Sequence, residues 1–328
     1  MKPVVWGILG VSTHYRLRVS AGLSRSTELV VRGIASRDRD RAARAAEEFG
    51  LERSYGSYEE LLDDPEIEAV YNPLPNHMHV EWIRHAADAG KHVLCEKPLA
   101  LNADETAAAF AYAGEKGVLL MEAFMYRFHP QWLHARELVS IGEVGTPTAV
   151  HCNFFYNNQD PDNIRNQLEA GGGALMDIGC YAVSSSRFLL GAEPKRVVAL
   201  IDRDERFGTD RLSSGILDFG GVRTVFTVGT QTASSQEVQL FGTGGSLRVE
   251  LPFNAYPDVP MAVHVTNGIG RRTIPAGPAD QYRLQFESFS RAIREGRTAP
   301  IGADDAVANQ KVLDALFRSA EKGGWEEV

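Results

Sequence analysis

The sequence predicts an α/β protein in two parts: a doubly wound parallel sheet, then a domain built on antiparallel sheet. Three observations carry this. The first third alternates short apolar runs with amphipathic helical patterns. The second half holds glycine pairs between runs of alternating polarity. Charged or proline-kinked segments follow the early apolar runs, at the carboxyl edge where open parallel sheets bind ligands.

Val4–Leu9, Leu29–Ala35, Ala69–Asn72, His92–Leu94 and Val118–Met121 read as buried strands. Between them, Arg39–Phe49 sets arginines and glutamates around an alanine face, and His79–Ala89 has the same helical period. Later, Gly215–Phe219 and Val222–Val228 flank Gly220-Gly221, a hairpin signal. Glu237–Phe241 and Ser246–Glu250 repeat it around Gly244-Gly245, with Leu240, Leu247 and Val249 alternating with polar neighbours, so one face is covered. Two late helices follow, Gln281–Arg294 and Asp304–Lys322. The boundary falls near Phe124, giving domains over 1–123 and 124–303, with the last helix, about 304–322, expected to pack back on the first.

At 328 residues the chain is long for a single core, and 44% hydrophobic with 23% charged residues is ordinary for a globular protein. A net charge of −9 argues against a general nucleic-acid binder but leaves room for a local basic pocket. Cys95, Cys152 and Cys180 are too widely spaced for a disulfide framework or a zinc site, so no metal is expected. The apolar start is too short to span a bilayer. With no signal peptide visible, a reducing cytoplasm is the expected compartment and no arm is expected ahead of the first strand.

The first strand ends in Gly10, which with Ser12 and Thr13 is a candidate dinucleotide-binding turn. The G-x-G-x-x-G pattern needs glycines at 12 and 15, where Ser12 and Tyr15 stand. Ser12 still allows a close backbone approach to a pyrophosphate, whereas Tyr15 is expected to project away from the strand–helix contact. The second strand ends in Ser36-Arg37 with no acid for a ribose 2′-hydroxyl; a hydroxyl and a guanidinium suit a 2′-phosphate, so NADP(H) is expected over NAD. These two residues also fit the mere start of a basic helix. Pro73-Leu74-Pro75-Asn76 holds an extended loop that lays backbone and Asn76 against adenosine and ribose. His77 and His79 close the same segment, and for His77 helix capping is the preferred reading.

His92–Leu94 runs into Cys95-Glu96-Lys97-Pro98, where Pro98 confines Lys97 to extended backbone. A solvated Glu-Lys pair before a turn explains this as well as a site does. In Gly171–Tyr181, a helix starting just after the three glycines places Asp177 and Tyr181 on one face. A phenol can exchange a proton with a carbonyl or alcohol oxygen, and a nearby ammonium such as Lys97 favours its phenolate. By spacing alone, a helix-start acid and a core tyrosine are a slightly better account.

Together, Trp6–Gly10, Pro73–His79, His92–Pro98, Met121–Pro130 and Gly171–Tyr181 resemble the Gfo/Idh/MocA oxidoreductases over essentially the whole chain. The nearest branch is the one holding glucose-fructose oxidoreductase, NADP-dependent xylose dehydrogenase and dihydrodiol dehydrogenase. The resemblance implies a Rossmann-like cofactor domain and an α+β substrate domain with a large, mostly antiparallel open sheet. The outer face of that sheet, around Val225–Val228, would pair subunits into a homodimer or homotetramer. It implies direct hydride transfer with NADP(H) and no metal, between nicotinamide and a sugar-like aldose, keto-sugar or vicinal diol. Tyr181 would be the general acid/base, Asp177 its supporting carboxylate, and Lys97 the contact to the nicotinamide ribose and the reacting oxygen. Glu96, Arg127 and Arg165 join the cofactor contacts, and the Lys97–Pro98 peptide would be cis. Tyr156, Asn157, Asn158, Arg165 and Tyr282 are candidate pocket residues. The chain departs from its relatives at Asn163-Ile164-Arg165, where many carry a tryptophan before the arginine. The missing arm implies a freely exchanging cofactor. Two alternatives are a nucleotide-sugar ketoreductase, which needs a diphosphate site, and a non-catalytic NADP-sensing regulator, against which Lys97, Asp177 and Tyr181 together count.

Overall fold

The computed structural model describes residues 2–328. The chain forms two compact units, one of residues up to Met125 with Tyr282–Val307, the other of Tyr126–Gln281 with Ala308–Val328. In the first unit, β1 (Val4–Leu9), β2 (Leu29–Ala35), β3 (Arg53–Tyr55), β4 (Ala69–Asn72), β5 (His92–Glu96) and β6 (Leu120–Ala123) form one sheet. Its order is β3-β2-β1-β4-β5-β6, parallel throughout. The order reverses between β1 and β4, the switch point at which such sheets open a ligand crevice. β1 and β4 are buried along their whole length, as central strands covered on both faces must be.

The helices between strands start and stop where their sequence dictates. Asp38 caps Arg39–Phe49 by accepting the Arg41 N–H at 3.0 Å, and Gly50 ends it in the left-handed region at φ 65°. Asn102 caps Ala103–Glu115 in the same way, through the Glu105 N–H at 2.8 Å. β6 starts at Leu120 rather than Val118, because the Val118 N–H still bonds the Ala113 carbonyl at the end of that helix.

The late helices differ from the sequence expectation. Helix Gln281–Glu295, placed by the sequence in the second domain, belongs from Tyr282 onward to the first unit. Trp6 is the physical reason: its indole N–H donates to Ser290 Oγ at 3.1 Å, and its ring meets Phe286 at 4.7 Å and Phe289 at 5.9 Å. Arg294 adds two bonds to the Glu68 carboxylate and reaches the Lys2 and Pro3 carbonyls. Helix Ala303–Lys322, expected with the first domain, divides after Val307, and its longer part belongs to the second unit. There the Ala199 N–H donates to Ser319 Oγ at 3.0 Å.

The second unit is built on nine strands: β7 (Pro147–Asn157), β8 (Arg196–Arg203), β9 (Asp210–Asp218), β10 (Arg223–Gly229), β11 (Gln231–Gly242), β12 (Gly245–Val249), β13 (Met261–Asn267), β14 (Gly270–Ala276) and β15 (Glu326–Glu327). Their order is β14-β13-β12-β11-β7-β10-β9-β8-β15, antiparallel except for the β7–β10 pair. Both hairpins read from glycine pairs are present, and Leu240, Leu247 and Val249 face the covered side. Among the described residues no helix is long and apolar enough to cross a membrane, and no acid, histidine or cysteine cluster could hold a metal.

Phe286 is fully buried between Trp6 and Tyr71, with ring centroids at 4.7 and 5.1 Å. Phe286→Ala should therefore cost about 3–5 kcal/mol of stability in urea denaturation. An unchanged midpoint would mean that this helix does not share the core of the first unit.

Candidate active site

At the end of β1, Gly10 has φ 96°, and a Cβ there would lie 2.9 Å from Leu74 Cδ2 and 3.6 Å from the Tyr58 hydroxyl. The position needs glycine both for its backbone and for its space. Ser12 accepts the Tyr15 N–H at 3.0 Å, so its hydroxyl shapes the turn, and Thr13 is exposed where the helix begins. Tyr15 corrects the sequence reading. Rather than projecting away, it is 1% exposed and packs edge-on to Phe49 at 5.2 Å and against Tyr71 at 6.4 Å. It opens a wide, π-type turn over Tyr15–Val19, where the missing third glycine would have allowed tight packing.

Beside this turn, Ser36 is buried and its hydroxyl accepts the Asp38 N–H at 3.2 Å. Arg37 is exposed and precedes the helix, which begins at Arg39. Asp38 caps that helix. Arg41 reaches across from the helix to donate to the Val11 carbonyl at 2.8 Å. Burial pushes the Tyr58 phenol up, while Arg37 and Arg41 pull it back. Two guanidiniums thus stand at the β1–β2 edge, and sequence reasoning found only the first.

The loop after β4 buries Pro73 and Leu74 and leaves Asn76 half-buried. His79 is not a ligand surface, as the sequence had it. It is fully buried, with ring nitrogens 2.7 Å from the Leu74 carbonyl and 3.0 Å from the Pro98 carbonyl, so it ties this loop to the segment after Lys97. His77 is exposed and makes no cap bond. The Lys97–Pro98 peptide is cis. Lys97 is half-buried beyond β5, and its N–H donates to Glu96 Oε2 at 3.3 Å. Glu96 Oε1 accepts the Tyr71 hydroxyl at 2.6 Å and lies 3.5 Å from His14 Nε2. Burial alone would raise the Glu96 carboxyl, but His14, Lys97 and Tyr71 outweigh it and hold it down at about 2. Tyr282, a candidate substrate residue, meets His14 edge-on at 5.4 Å. Neither His14 nor Tyr71 was singled out by sequence, because nothing local links residue 14 or 71 to residue 96.

In the second unit, Asp177 is the hub. Its Oδ2 accepts the Tyr156 hydroxyl at 2.7 Å and Arg165 Nε–H at 2.9 Å. Arg165, expected against cofactor or substrate, is therefore first the partner of Asp177. Asn163 accepts the Arg165 N–H at 3.1 Å, and Asn166 anchors the loop by donating to the Asp160 carbonyl at 2.8 Å. Asn158, expected in the pocket, is spent on the same loop: its side chain accepts the Asp160 N–H at 3.0 Å. Asn157 accepts from Gln159 at 3.4 Å. Asp177 holds Arg165 charged against the opposing effect of burial, with Tyr156 and Tyr181 adding to that hold. Burial and then Asp177 push the Tyr156 phenol far up, so it stays protonated. The segment after the glycines is a wide turn over Leu175–Gly179 leading into helix Cys180–Leu190, so Asp177 and Tyr181 straddle the change of pitch. Tyr181 is 5% exposed, its ring 5.0 Å from Phe253 and 5.8 Å from Phe154. Arg127 stacks over Phe188 at 4.9 Å.

Residues 4–124 match the family described as "Oxidoreductase family, NAD-binding Rossmann fold", and residues 132–248 match the "GFO/IDH/MocA C-terminal domain". An uncharacterised oxidoreductase of Rhizobium meliloti is 46% identical over 334 residues, covering 100% of both chains. The D-xylose 1-dehydrogenase (NADP(+)) 2 of Haloferax volcanii is 40% identical, over 99% of this chain and 100% of that one. Among solved structures, a 3-ketoreductase from Actinomadura kijaniata in complex with NADP and TDP-benzene superposes with a TM-score of 0.91 at 30% identity, over 97% of this chain and 98% of that one.

Because Glu96 is held below its ordinary 4.5, it stabilises the fold above that pH and ceases to as pH falls towards about 2. Glu96→Gln should lower the urea midpoint at neutral pH, and the gap from wild type should close across this window. A pH-independent gap would sink the ionised, partnered Glu96.

Proposed function

The chain belongs to the Gfo/Idh/MocA oxidoreductase family, and on that footing we propose an NADP(H)-dependent enzyme that moves a hydride between nicotinamide C4 and a carbon of a sugar-like substrate. The observation that carries the proposal is the full-length similarity to an NADP(+)-dependent D-xylose dehydrogenase. The cofactor preference is supported by Ser36 and Arg37 after β2 and by Arg41 in the helix that follows, a hydroxyl and two guanidiniums that suit a 2′-phosphate. Gly10, at φ 96° with Leu74 packed where a side chain would lie, lets the chain turn tightly from β1 towards the helix start at which a pyrophosphate would sit.

In this reading Tyr181 Oη gives or takes the proton at the substrate oxygen. Lys97 holds that oxygen and the nicotinamide ribose. Asp177 acts by keeping Arg165 and Tyr156 in place, since both donors occupy one carboxylate oxygen. The Arg165 cation and a Tyr181 phenolate attract, so Arg165 joins Lys97 in favouring the ionised phenol. Aldoses, keto-sugars and vicinal diols are the substrate class. The outward face of the second sheet, where Val225 is exposed, is assigned to pairing subunits as a homodimer or homotetramer.

A second reading, reduction of a nucleotide-linked keto-sugar, is favoured by the 3-ketoreductase that shares the fold over nearly its whole length. A panel of free aldoses with NADP+ against a dTDP-keto-sugar with NADPH, followed at 340 nm, separates the two. Turnover of neither, with NADPH bound, would leave a sensor.

Two variant sets test the assignment. Tyr181→Phe should lower kcat by roughly 100- to 10,000-fold with NADPH affinity retained; wild-type turnover would remove the phenol from the mechanism. Arg37→Ala and Arg41→Ala should each weaken NADPH binding about 10- to 100-fold, with little change for NADH. Equal losses for both cofactors would remove the 2′-phosphate role.

A further inference from the structure

We propose that Asp210, the first residue of β9, is a positioning residue that fixes the glycine turn before Asp177 and Tyr181. The inference rests on the reading above, in which Tyr181 exchanges the proton.

Asp210 is 2% exposed, and no other part of the mechanism uses it. Its Oδ2 accepts the Leu175 N–H at 2.6 Å and the Ser213 hydroxyl at 2.7 Å. Its Oδ1 fills the side-chain space of residue 173: a Cβ on Gly173, whose φ is 119°, would fall 1.9 Å from that oxygen. The carboxylate therefore stands where any other residue would put its side chain, and the glycine and the acid require each other. Gly173 is the junction of the site. Its N–H donates to the Arg165 carbonyl at 2.9 Å, and its carbonyl accepts the Asp177 N–H at 3.0 Å. A Cβ on Gly172 would meet that Arg165 carbonyl at 2.5 Å. One contact thus links Asp210 to the backbone of both partners in the Arg165–Asp177 ion pair.

An ordinary helix cap is a local, solvated side chain. Asp210 comes from 35 residues further along the chain and is buried, which raises its carboxyl against the Ser213 and Leu175 donors. A buried carboxylate is costly to keep for capping alone, since a neutral hydroxyl or amide caps nearly as well. What it adds is rigidity at the turn, and misplacing a catalytic group by an ångström can cost roughly 100-fold in rate.

The test compares Asp210→Ala, Asp210→Asn and Tyr181→Phe by kcat, KM, NADPH affinity and thermal midpoint on the full chain. Asp210→Ala should lose roughly 100-fold in kcat while NADPH affinity stays within about 2-fold of wild type. Asp210→Asn keeps an oxygen for Leu175 and Ser213 and should recover part of that loss. Wild-type kcat in folded Asp210→Ala overturns the proposal. So does a loss of kcat and NADPH affinity together in step with the folded fraction, the mark of a cap that only stabilises. If Asp210→Ala does not fold, the same split is read in Asp210→Asn, where wild-type kcat overturns it. A loss in Asp210→Ala with none in Tyr181→Phe would overturn the phenol as acid/base and leave Asp210 positioning Asp177. A loss in Tyr181→Phe alone would overturn the positioning and leave the phenol.

Discussion

A carboxylate drawn out of water must find its donors inside the protein, and each unit is arranged around one that has. Glu96 and Asp177 keep side-chain exposures of only 14% and 13%. Removing one partner from such a group leaves a charge without compensation, typically at 3–5 kcal/mol. Tyr71 and His14 serve Glu96, and Tyr156 and Arg165 serve Asp177, although none of them lies next in sequence to the acid it serves. Glu96 also fixes where Lys97 can be, because its carboxylate accepts the Lys97 backbone N–H while its charge attracts the ammonium.

The turn after β1 shows how a backbone site survives the loss of its usual glycines. Gly10 is retained because its conformation and its contact with Leu74 leave no alternative. Ser12 replaces a glycine by turning its hydroxyl back onto the Tyr15 N–H. Tyr15 is accommodated because the helix begins as a wide turn and the ring finds an apolar slot against Phe49 and Tyr71. Arg41 then braces the turn from outside through the Val11 carbonyl. A pattern of glycines is one way to let a backbone approach a pyrophosphate, and the physical requirement is the approach.

What could be read from the sequence was whatever repeats locally. The strands of the first unit, the helix faces, the glycine hairpins and the Ser36-Arg37 edge all follow from period, turn chemistry or charge within a few residues. What could not be read depends on distant pairs. Trp6 and Ser290 are 284 positions apart, and that bond, with Phe286 and Phe289, gives a late helix to the first unit. Tyr15 was misplaced for the same reason: its slot is built by residues 49 and 71. His79 reads as a polar residue beside a ligand loop, and only the carbonyls of Leu74 and Pro98 show that it is internal glue.

In the second unit, Tyr156 and Tyr181 stand in different surroundings. Tyr156 donates to Asp177, and that bond together with burial keeps its proton in place, so it serves as a fixed donor. Asp177 itself, with Tyr156 and Arg165 on one oxygen, acts as an acceptor and a charge rather than as a proton carrier. Arg165 makes that carboxylate one half of an ion pair, with Nε 2.9 Å from Oδ2. Tyr181 instead sits in an aromatic setting against Phe154 and Phe253, so the two phenols, one hydrogen-bonded to the acid and one packed on rings, meet different surroundings.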